Sequence, residues 1–420
     1  MVRSPVTDNR PTKVAKTSSK SVAGGDLYSY ASICHSCVPV STKICEEGNK
    51  IEVQWEDKHT SLFHATWLRV NCPCPECLDA SQQRIFLPCD LDLNTRVVKL
   101  ETTNDNKSVH IETSDGHKIV HPANWLRTHC YSDSSVKAKV EKRLQLSDMP
   151  IKQPPKIDAT KILTTEEGKN QWMATLVKYG IALVTDLNTE AGQVKVLAER
   201  IANVQPTVYG DTWHVISKPN AENIAYTSAN LVGHMDLLAY EAPPAIQFLH
   251  CRKFDEEIDG GANSFIDAFA AARRIRENTP EHFKVLCNTY ATFHKLNADK
   301  HMMQRRPHIV LDDRDEIVGV NWSPPFEGPL QVSPDEIAPY FAAYKAFSDE
   351  LNNKEHTLKF RLKQGECVTF MNRRLLHARD GFDLKEGLNR HLEGTYILGD
   401  DFYNAYRLSL RDMSDVETIL

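Results

Sequence analysis

Three cysteines within six residues constrain the fold of this chain more than any other feature of its sequence. They form the segment Cys72-Pro-Cys74-Pro-Glu-Cys77, in which the prolines restrict the backbone between the thiols. Thiolates at this spacing can bind one tetrahedral metal ion, and a structural zinc site then needs a fourth ligand from elsewhere in the chain. The alternative is three thiols without a metal. The pair Cys34-x-x-Cys37 is a weaker candidate, because no second pair follows it at zinc spacing.

The cysteine segment belongs to an internal repeat whose two copies lie 58 residues apart. The copies share a histidine, a Trp-Leu-Arg run and a cysteine, which are His59, Trp67-Leu68-Arg69 and Cys72 in the first copy and His117, Trp125-Leu126-Arg127 and Cys130 in the second. Alternating stretches at 51–55 and 108–113 predict strands. We therefore expect a small β-rich module with a duplicated strand–turn element, which needs a metal to be stable. The repeat leaves His117, His59 and Cys130 open as the fourth ligand.

Composition excludes several classes of protein. The chain has 420 residues, of which 41% are hydrophobic and 25% charged, so we expect two or three globular domains. Its formal net charge of -6 argues against a nucleic-acid partner. No apolar run reaches the roughly 18 residues that a membrane-spanning helix needs, and no secretory signal is evident. The odd number of 11 cysteines in such a chain favours reduced thiols over a disulfide framework.

Shifts in composition divide the chain into segments. Residues 1–25 are rich in Ser, Thr, Lys and Arg and predict a disordered tail. A mitochondrial presequence is the alternative, but this stretch has no Leu, Ile, Phe or Trp for an apolar helix face, so we expect the protein in the cytoplasm. A β-rich zinc-binding domain is expected over 26–146, and the three prolines of 147–159 indicate a linker. A larger domain is expected over 160–420.

The larger domain combines helical and strand patterns. Helical spacing of apolar residues covers 166–178, 190–203 and 264–276, and a further helix begins after the capping residue Ser333. Strands are predicted over 181–185, 245–250, 358–362, 367–371 and 390–397. No glycine-rich phosphate loop follows any of these strands, which argues against a doubly wound parallel sheet. We expect a mixed β fold with helices, namely a double-stranded β-helix (jelly roll) with flanking helices.

His234-Met235-Asp236 is a second candidate for binding a metal. In a strand, residues i and i+2 point to the same face, so this imidazole and carboxylate can converge on one ion. A His-x-Asp tripeptide also arises by chance in solvent-exposed loops. His377 follows the strand predicted at 367–371 and can complete a triad of two histidines and one carboxylate, which binds Fe(II) in non-haem oxygenases. Arg390 can then hold the distal carboxylate of a cosubstrate in a bidentate fork.

Four aromatic residues lie near these candidates along the sequence. Taken singly, each is typical of a core position. As a group they can form a cage for a quaternary ammonium, a cation that cannot donate hydrogen bonds and is held by ring faces. The four are Tyr209, Trp213, Tyr226 and Tyr396.

These motifs resemble those of the γ-butyrobetaine dioxygenases, a family of Fe(II)- and 2-oxoglutarate-dependent hydroxylases. The resemblance covers most of the chain, and its most specific segments are Trp67 to Cys77, Tyr209-Gly-Asp-Thr-Trp213, Asn223-Ile-Ala-Tyr226-Thr, His234-x-Asp236, Arg374-Leu-Leu-His377 and Arg390-His-Leu-Glu-Gly-Thr-Tyr396. It implies hydroxylation of γ-butyrobetaine at C3 to L-carnitine, the last step of carnitine biosynthesis. In that reaction 2-oxoglutarate and O2 are consumed, succinate and CO2 are formed, and ascorbate keeps the iron reduced.

The resemblance also implies a role for each matched residue. His234, Asp236 and His377 match the iron ligands of the family, and Arg390 matches the residue that binds 2-oxoglutarate. The residues that match substrate contacts are Tyr209, Trp213, Tyr226 and Tyr396 in the cage, together with Asn223 and Asn321. The residues that match the zinc ligands are Cys72, Cys74, Cys77 and His117, which excludes His59 and Cys130 as the fourth ligand. Because the family is homodimeric, a homodimer is expected.

Two residues beside the candidate iron ligands depart from the family pattern. Met235 stands where the family usually has threonine, and Leu237 stands where close relatives have an aromatic residue. They keep open the same reaction on another trimethylammonium substrate, such as trimethyllysine. Trimethyllysine dioxygenases share the zinc module and the triad but lack the Arg-His-Leu-Glu-Gly-x-Tyr run. The remaining alternative is a non-catalytic zinc scaffold, against which the intact triad and Arg390 argue.

Overall fold

The computed structural model of the chain describes residues 38–81, 83–144, 148–216, 227–297, 299–383 and 387–412. The tail expected at 1–25 and the candidate site residues Asn223 and Tyr226 lie outside the described residues. The chain divides into two units, an N-terminal unit that ends at Leu144 and a larger unit that begins at Gln145. None of the helices in the described ranges is long and apolar enough to cross a membrane.

The N-terminal unit contains two three-stranded antiparallel sheets, each followed by a short helix. Its strands are β1 Pro39–Cys45, β2 Lys50–Trp55, β3 Thr60–His64, β4 Val97–Thr102, β5 Ser108–Thr113 and β6 Lys118–Pro122. Its helices are α1 Ala65–Val70, α2 Ala123–Thr128 and α3 Asp133–Leu144. Strands β1 to β3 form one sheet and β4 to β6 the other, so each copy of the repeat supplies one sheet and one helix.

The duplicated element is a strand followed by a helix, so the predicted strand–turn element was wrong in its second half. The Trp-Leu-Arg runs lie in α1 and α2, where the helical turn places Leu68 and Leu126 in the core with no exposed surface. Each helix has six residues, which is too short for a helical period to show in the sequence.

The two copies of the repeat also exchange ion pairs. Arg69 Nε lies 3.0 Å from Asp115 Oδ2, and Arg127 Nη2 lies 2.8 Å from Asp57 Oδ2. In both pairs the arginine belongs to one copy and the aspartate to the other. The halves of the unit are therefore joined by reciprocal contacts as well as by a shared core.

The larger unit is built on two predominantly antiparallel sheets with helices and hairpins added to them. Its strands are β7 Lys156–Asp158, β8 Ile181–Thr185, β9 Trp213–Ile216, β10 Leu231–His234, β11 Ile246–Phe254, β12 Asp259–Gly260, β13 Asn263–Asp267, β14 Tyr290–Asn297, β15 Lys300–Pro307, β16 Ile309–Leu311, β17 Ile317–Val320, β18 Thr357–Phe360, β19 Cys367–Met371, β20 Leu375–Arg379, β21 Phe382–Asp383 and β22 Arg390–Ile397. Its helices are α4 Ala159–Thr164, α5 Glu166–Tyr179, α6 Gln193–Ala198, α7 Ala268–Asn278, α8 Pro280–Asn288, α9 Pro334–Leu351 and α10 Gly399–Asp412.

The two sheets face each other across a hydrophobic core. The larger has the strand order β7-β8-β19-β11-β22-β9, and the smaller has the order β10-β20-β13-β18. Phe265 of β13 and Phe370 of β19 meet between them, with ring centroids 5.1 Å apart. The chain alternates between the two sheets, from β10 to β11 to β13 and again from β18 to β19 to β20 to β22. The arrangement is therefore a double-stranded β-helix, as predicted.

Several elements agree closely with their predictions. Strands β8, β19 and β22 begin and end at the predicted residues, and α9 begins after Ser333 with a complete capping box. Strand β8 has a largely apolar run and α9 has a strong capping signal.

Other segments differ from their predictions. The helix predicted over 264–276 is strand β13 up to Asp267, whose side chain caps the N-terminus of α7. The helix predicted over 190–203 is confined to α6, because Gly192 precedes it with a φ of 81°. The predicted linker 147–159 contains β7, which pairs in parallel with β8.

Candidate active site

Strands β10 and β20 bring two histidines together at the edge of the smaller sheet. His234 ends β10 and lies directly opposite His377 in β20, with ring centroids 4.1 Å apart. Asp236 completes the group, with its Oδ1 atom 3.3 Å from His234 Nε2 and its Oδ2 atom 3.8 Å from His377 Nε2. One ligand atom from each of the three residues lies within 4.8 Å of the others, which is close enough for one metal ion.

A turn, rather than a continuous strand, carries Asp236 to the histidines. β10 ends at His234, and the backbone N–H of Met235 donates to the carbonyl of Trp322 at 2.8 Å. Leu237 then adopts a φ of 60°, a left-handed conformation that is uncommon for a branched side chain. The strand geometry predicted for His234 and Asp236 was therefore wrong, although the two side chains do converge. Strain of this kind is frequent at functional sites.

Asn372 fixes the turn from the other side. Its Oδ1 atom accepts from the backbone N–H of Asp236 at 2.9 Å, and its Nδ2 atom donates to the carbonyls of Asp236 and Pro244. The Asp236 carboxylate is held as well, because Gln247 Nε2 and the Tyr396 hydroxyl both donate to Oδ2 at 2.7 Å. These bonds leave Oδ1 as the carboxylate oxygen best placed for a metal.

The hydrogen bond of His234 and the pKa values of His377 and Asp236 suit metal binding. His234 Nδ1 donates to the Val232 carbonyl at 2.9 Å, so the lone pair lies on Nε2. Burial, together with the neighbouring His234, lowers the pKa of His377 to about 3. Burial opposes ionisation of Asp236, but the adjacent histidines and hydrogen bonds outweigh it and hold the pKa of that carboxyl below its usual range. At neutral pH His377 therefore offers a neutral imidazole and Asp236 an ionised carboxylate.

This donor set fits Fe(II). Two imidazole nitrogens and one carboxylate oxygen on one face form the facial triad of non-haem Fe(II) oxygenases, which leaves coordination positions open. The outer bonds of His234 and Asp236 orient the ligands, as is common around protein metal sites. His234, Asp236 and His377 would hold the ion.

Arg390 lies in an apolar clamp at the beginning of β22. Its guanidinium carbon is 5.2 Å from the ring centroid of Phe254 and 5.1 Å from that of Phe382. The side chain is buried, and its Nε atom has no hydrogen-bond partner within the described residues. Burial and the neighbouring Arg379 lower the pKa of Arg390 to about 10, so the group remains a cation at neutral pH. A buried cation with an unused donor fits a carboxylate ligand such as that of 2-oxoglutarate.

Two of the predicted cage residues form one stacked unit beside the triad. The rings of Trp213 and Tyr396 lie 4.0 Å apart between centroids, with an angle of 19° between their planes. Because the Tyr396 hydroxyl donates to Asp236, this aromatic pair is directly connected to a candidate iron ligand. Gly394 lies against the Trp213 ring, and a β-carbon at this position would be 2.6 Å from Trp213 Cε2.

Two further predicted substrate residues, Tyr209 and Asn321, lie in the described part of the chain. Tyr209 is half-buried, and the Lys295 ammonium lies 5.4 Å from its ring centroid. Asn321 is fully buried, with Nδ2 donating to the Pro307 carbonyl at 2.7 Å, and it precedes Trp322, which anchors Met235.

Residues that support the site were missed in the sequence. Gln247 and Asn372 hold the Asp236 turn, and Arg379 donates to the carbonyls of Thr227 and Ala229 at 2.7 Å beside the Arg390 clamp. The available signal for Gln247 was a polar residue within the apolar run from Ala245 to Leu249. For Asn372 the signal was its position five residues before His377.

The N-terminal unit brings the predicted zinc ligands together. His117 Nε2 lies 3.2 Å from Cys72 Sγ and 3.4 Å from both Cys74 Sγ and Cys77 Sγ. The four ligand atoms lie within 4.8 Å of one another, and Arg69 Nη1 donates to Cys77 Sγ at 3.2 Å. His59 and Cys130 lie elsewhere in the unit, 3.3 Å from each other.

Both units match families of known proteins. Residues 144–396 match the family model described as taurine catabolism dioxygenase TauD, TfdA family, and residues 42–120 match the model described as γ-butyrobetaine hydroxylase-like, N-terminal. The γ-butyrobetaine dioxygenase of Homo sapiens is 32% identical over 89% of this chain and 97% of its own length. That of Pseudomonas sp. (strain AK-1) is 31% identical over 84% of this chain and 91% of its own. A trimethyllysine dioxygenase of Meyerozyma guilliermondii is more distant, at 25% identity over 87% of this chain and 95% of its own.

The double-stranded β-helix, the triad and the family match define a dioxygenase that depends on Fe(II) and 2-oxoglutarate. The resemblance found in the sequence is thus confirmed. The chain belongs to the TauD, TfdA family and, within it, to the γ-butyrobetaine dioxygenases.

Proposed function

We propose that this protein hydroxylates γ-butyrobetaine at C3 to give L-carnitine, the last step of carnitine biosynthesis. The reaction is coupled to oxidative decarboxylation of 2-oxoglutarate to succinate and CO2. The observation that carries the proposal is the Trp213–Tyr396 stack, because it supplies an aromatic surface for a trimethylammonium group and is hydrogen-bonded to Asp236. The identity to curated γ-butyrobetaine dioxygenases supports the same substrate.

The roles of the residues follow from their positions. Fe(II) bound at the triad supplies, with 2-oxoglutarate and O2, the oxidising chemistry. Arg390 neutralises and orients the distal carboxylate of 2-oxoglutarate from its buried position. The stack of Trp213 and Tyr396 fixes the cationic end of the substrate, so that a carbon near the middle of its short chain faces the metal. We include Tyr209 and Tyr226 in this cage, and Asn223 and Asn321 as further substrate contacts.

The test is succinate release by the purified protein with Fe(II), ascorbate and 2-oxoglutarate. γ-Butyrobetaine, trimethyllysine and no added substrate are compared, and carnitine is identified by mass. We expect strong stimulation by γ-butyrobetaine and formation of carnitine. Stimulation by trimethyllysine instead would favour the alternative substrate. Binding of iron and 2-oxoglutarate without stimulation by either compound would leave the active site intact and reject γ-butyrobetaine as substrate. Failure to bind iron would favour the non-catalytic scaffold.

An uncharged isostere isolates the contribution of the cage. 5,5-Dimethylhexanoate has the shape of γ-butyrobetaine but carries carbon in place of the quaternary nitrogen. A cation–π contribution of about 0.5–2 kcal/mol predicts that it binds about 2- to 30-fold more weakly than γ-butyrobetaine. Equal inhibition constants for the isostere and for a non-reacting trimethylammonium acid would reject an aromatic cage.

Substitution of Trp213 tests the cage from the side of the protein. Trp213→Ala removes the ring face that stacks on Tyr396, and we expect the KM for γ-butyrobetaine to rise at least about tenfold. The KM for 2-oxoglutarate should change by less than about twofold, because Arg390 is untouched. Trp213→Phe keeps a ring face and serves as the matched control. Equal increases in both KM values would contradict the assignment.

We also propose that Cys72, Cys74, Cys77 and His117 hold a structural zinc ion. The support is the convergence of three Sγ atoms on His117 Nε2, together with the small size of the unit. Zinc would remove the repulsion between clustered thiolates and join the two copies of the repeat. Elemental analysis of the purified protein tests this directly.

Three further properties are proposed from the family resemblance. We propose that the protein is a homodimer, that ascorbate supports turnover by keeping the iron reduced, and that the protein is cytoplasmic. No disulfide joins any two of the nine cysteines in the described part of the chain, as suits a reducing compartment. Sedimentation measures the oligomeric state, omission of ascorbate tests its role, and imaging of the tagged full-length chain in cells tests the location.

A further inference from the structure

Each residue of the cysteine cluster has a counterpart in the other copy of the repeat. The spacing of 58 residues relates Cys72, Cys74 and Cys77 to Cys130, Ser132 and Ser135, and relates His117 to His59. The first and last of these relations preserve the residue type. At the two middle positions sulfur is replaced by oxygen.

These four counterparts also converge in space. His59 Nε2 lies 3.3 Å from Cys130 Sγ, 3.4 Å from Ser132 Oγ and 3.2 Å from Ser135 Oγ. The corresponding distances from His117 Nε2 to the three thiols are 3.2, 3.4 and 3.4 Å. The structure thus repeats the arrangement of the first cluster around His59, although only one thiol remains.

The surroundings of the two groups match as well. In the first, Arg69 pairs with Asp115 and donates to Cys77 Sγ at 3.2 Å. In the second, Arg127 pairs with Asp57 and donates to Ser135 Oγ, also at 3.2 Å. A duplicated outer arrangement of this kind is what orients metal ligands in protein sites.

We propose that Cys130, His59, Ser132 and Ser135 form a second metal site, of lower affinity than the first, for a thiophilic divalent ion such as Zn²⁺. A thiolate and an imidazole are the two ligands that zinc prefers, and their separation of 3.3 Å suits binding to one ion. The two hydroxyls, or water in their place, complete the coordination. Neutral oxygen ligands bind zinc less strongly than thiolates. The ion in the second site is therefore exchangeable, whereas the first site retains its zinc.

An entry path is present. A cleft of about 370 Å³ opens beside the site and is lined by His59, Ser135, Arg127 and Asp57, so an ion can reach His59 from solvent. This inference rests on the zinc assignment of the first cluster, and the experiment below distinguishes failure of one from failure of the other.

Cobalt titration of the full-length, zinc-containing protein tests the second site. Thiolate ligands give Co²⁺ a near-ultraviolet charge-transfer band, whereas the His234–Asp236–His377 triad has no sulfur and stays silent in this region. We expect one band that saturates at one Co²⁺ per chain without release of the resident zinc. The band should disappear in Cys130→Ser, and its apparent Kd should rise at least about tenfold in His59→Gln. Cys89→Ser and His110→Gln, which alter exposed residues of the same unit, should leave it unchanged.

A gain-of-function variant provides an independent arm. Ser132→Cys/Ser135→Cys restores the ligand set of the first cluster, and we expect about threefold greater band intensity and at least about 100-fold tighter binding. Absence of a band in both the wild-type protein and this double variant would overturn the proposal, as would a band that survives Cys130→Ser. A purified protein that contains no zinc and gives no Co²⁺ band that depends on Cys74 would instead refute the zinc assignment of the first cluster.

Discussion

At the scale of single residues, Tyr396 connects substrate recognition to the metal. Its ring stacks on Trp213, and its hydroxyl is one of two donors that fix Oδ2 of Asp236. The same side chain therefore belongs to the cage and to the support of an iron ligand. Replacing it by phenylalanine separates these roles, because the ring remains and only the hydroxyl is lost.

We expect Tyr396→Phe to weaken iron binding more than substrate binding. A hydrogen bond to a charged group contributes about 1.5–3 kcal/mol, so the Fe(II) concentration for half-maximal activity should rise about tenfold or more. The KM for γ-butyrobetaine should change less than in Trp213→Ala. Iron titrations of turnover measure both quantities, and Tyr406→Phe in α10 is the control. An unchanged iron requirement would show that Gln247 alone suffices to hold the carboxylate.

Gly394 provides a second prediction at this scale. A methyl group at Gly394 would overlap the Trp213 ring, so Gly394→Ala should displace the ring and raise the KM for γ-butyrobetaine about tenfold. The double variant Gly394→Ala/Trp213→Phe has a smaller ring and should recover part of the loss. Steady-state kinetics with circular dichroism as a fold control provide the measurement. If the single variant kept the wild-type KM, the contact would not position the cage.

The sequence predicted the candidate metal ligands better than the residues that hold the site in place. His234, Asp236 and His377 belong to a recognisable chemical set, so the sequence named them before the structure showed that they meet. Asn372 acts through hydrogen bonds to a turn 136 residues away in the chain, and no local pattern encodes that contact. Arg379 was missed for the same reason, since its acceptors are backbone carbonyls.

At the scale of elements, one buried ion pair joins α7 to the sheet. Asp267 accepts from the first N–H groups of α7 and pairs with Arg374 at 2.7 Å, and both side chains are nearly inaccessible to solvent. Burial alone would raise the pKa of Asp267, but the Arg374 charge and the hydrogen bonds outweigh it and lower the pKa. The carboxylate thus stabilises the fold most when it is ionised.

This pair predicts that the larger unit loses stability as the pH falls into the acid range. Because the folded pKa of Asp267 lies below its unfolded value of about 3.9, its contribution is complete above that pH and decreases as the pH falls toward the folded value. Asp267→Asn should lower the free energy of unfolding by about 3–5 kcal/mol at pH 7. Its stability should also fall less steeply with decreasing pH than that of the wild type. Denaturant unfolding between pH 3 and pH 7 measures both, with the exposed Asp148→Asn as control. Parallel pH profiles for wild type and Asp267→Asn would disprove this role.

Prediction of the elements succeeded where one local signal dominated. Strand β19 is a run of five residues of which four are buried, and its composition was enough to predict it. Helix α9 starts at a capping box, which was enough to predict where it begins. The prediction of a helix over 264–276 was wrong for its first residues, because their apolar spacing fits the period of a strand as well as that of a helix. Pairing of β13 between β18 and β20 decided in favour of a strand, and this long-range hydrogen bonding is invisible in a short window.

At the scale of the whole molecule, the proposed zinc site predicts that the N-terminal unit needs its metal to be stable. Its core consists of two small sheets and short helices, and the cysteine segment lies within that core. We expect Cys74→Ser to lower the soluble yield and to lower the thermal midpoint of this unit by at least about 10 °C. Scanning calorimetry with zinc analysis is the measurement, and Cys89→Ser, at an exposed position, is the control. A metal-free variant with an unchanged midpoint would refute the structural role.

The exchange of partners between the two repeats has a consequence for the ancestry of the unit. Each histidine lies against the cysteine of the other copy, and each arginine pairs with the aspartate of the other copy. A polypeptide with a single copy would therefore have left its ligands incomplete. Two such polypeptides related by a two-fold axis would have completed both sets at once, as in any self-complementary dimer. Tandem duplication of the gene for such a polypeptide would give a chain organised like this one, in which each set of ligands can then change separately.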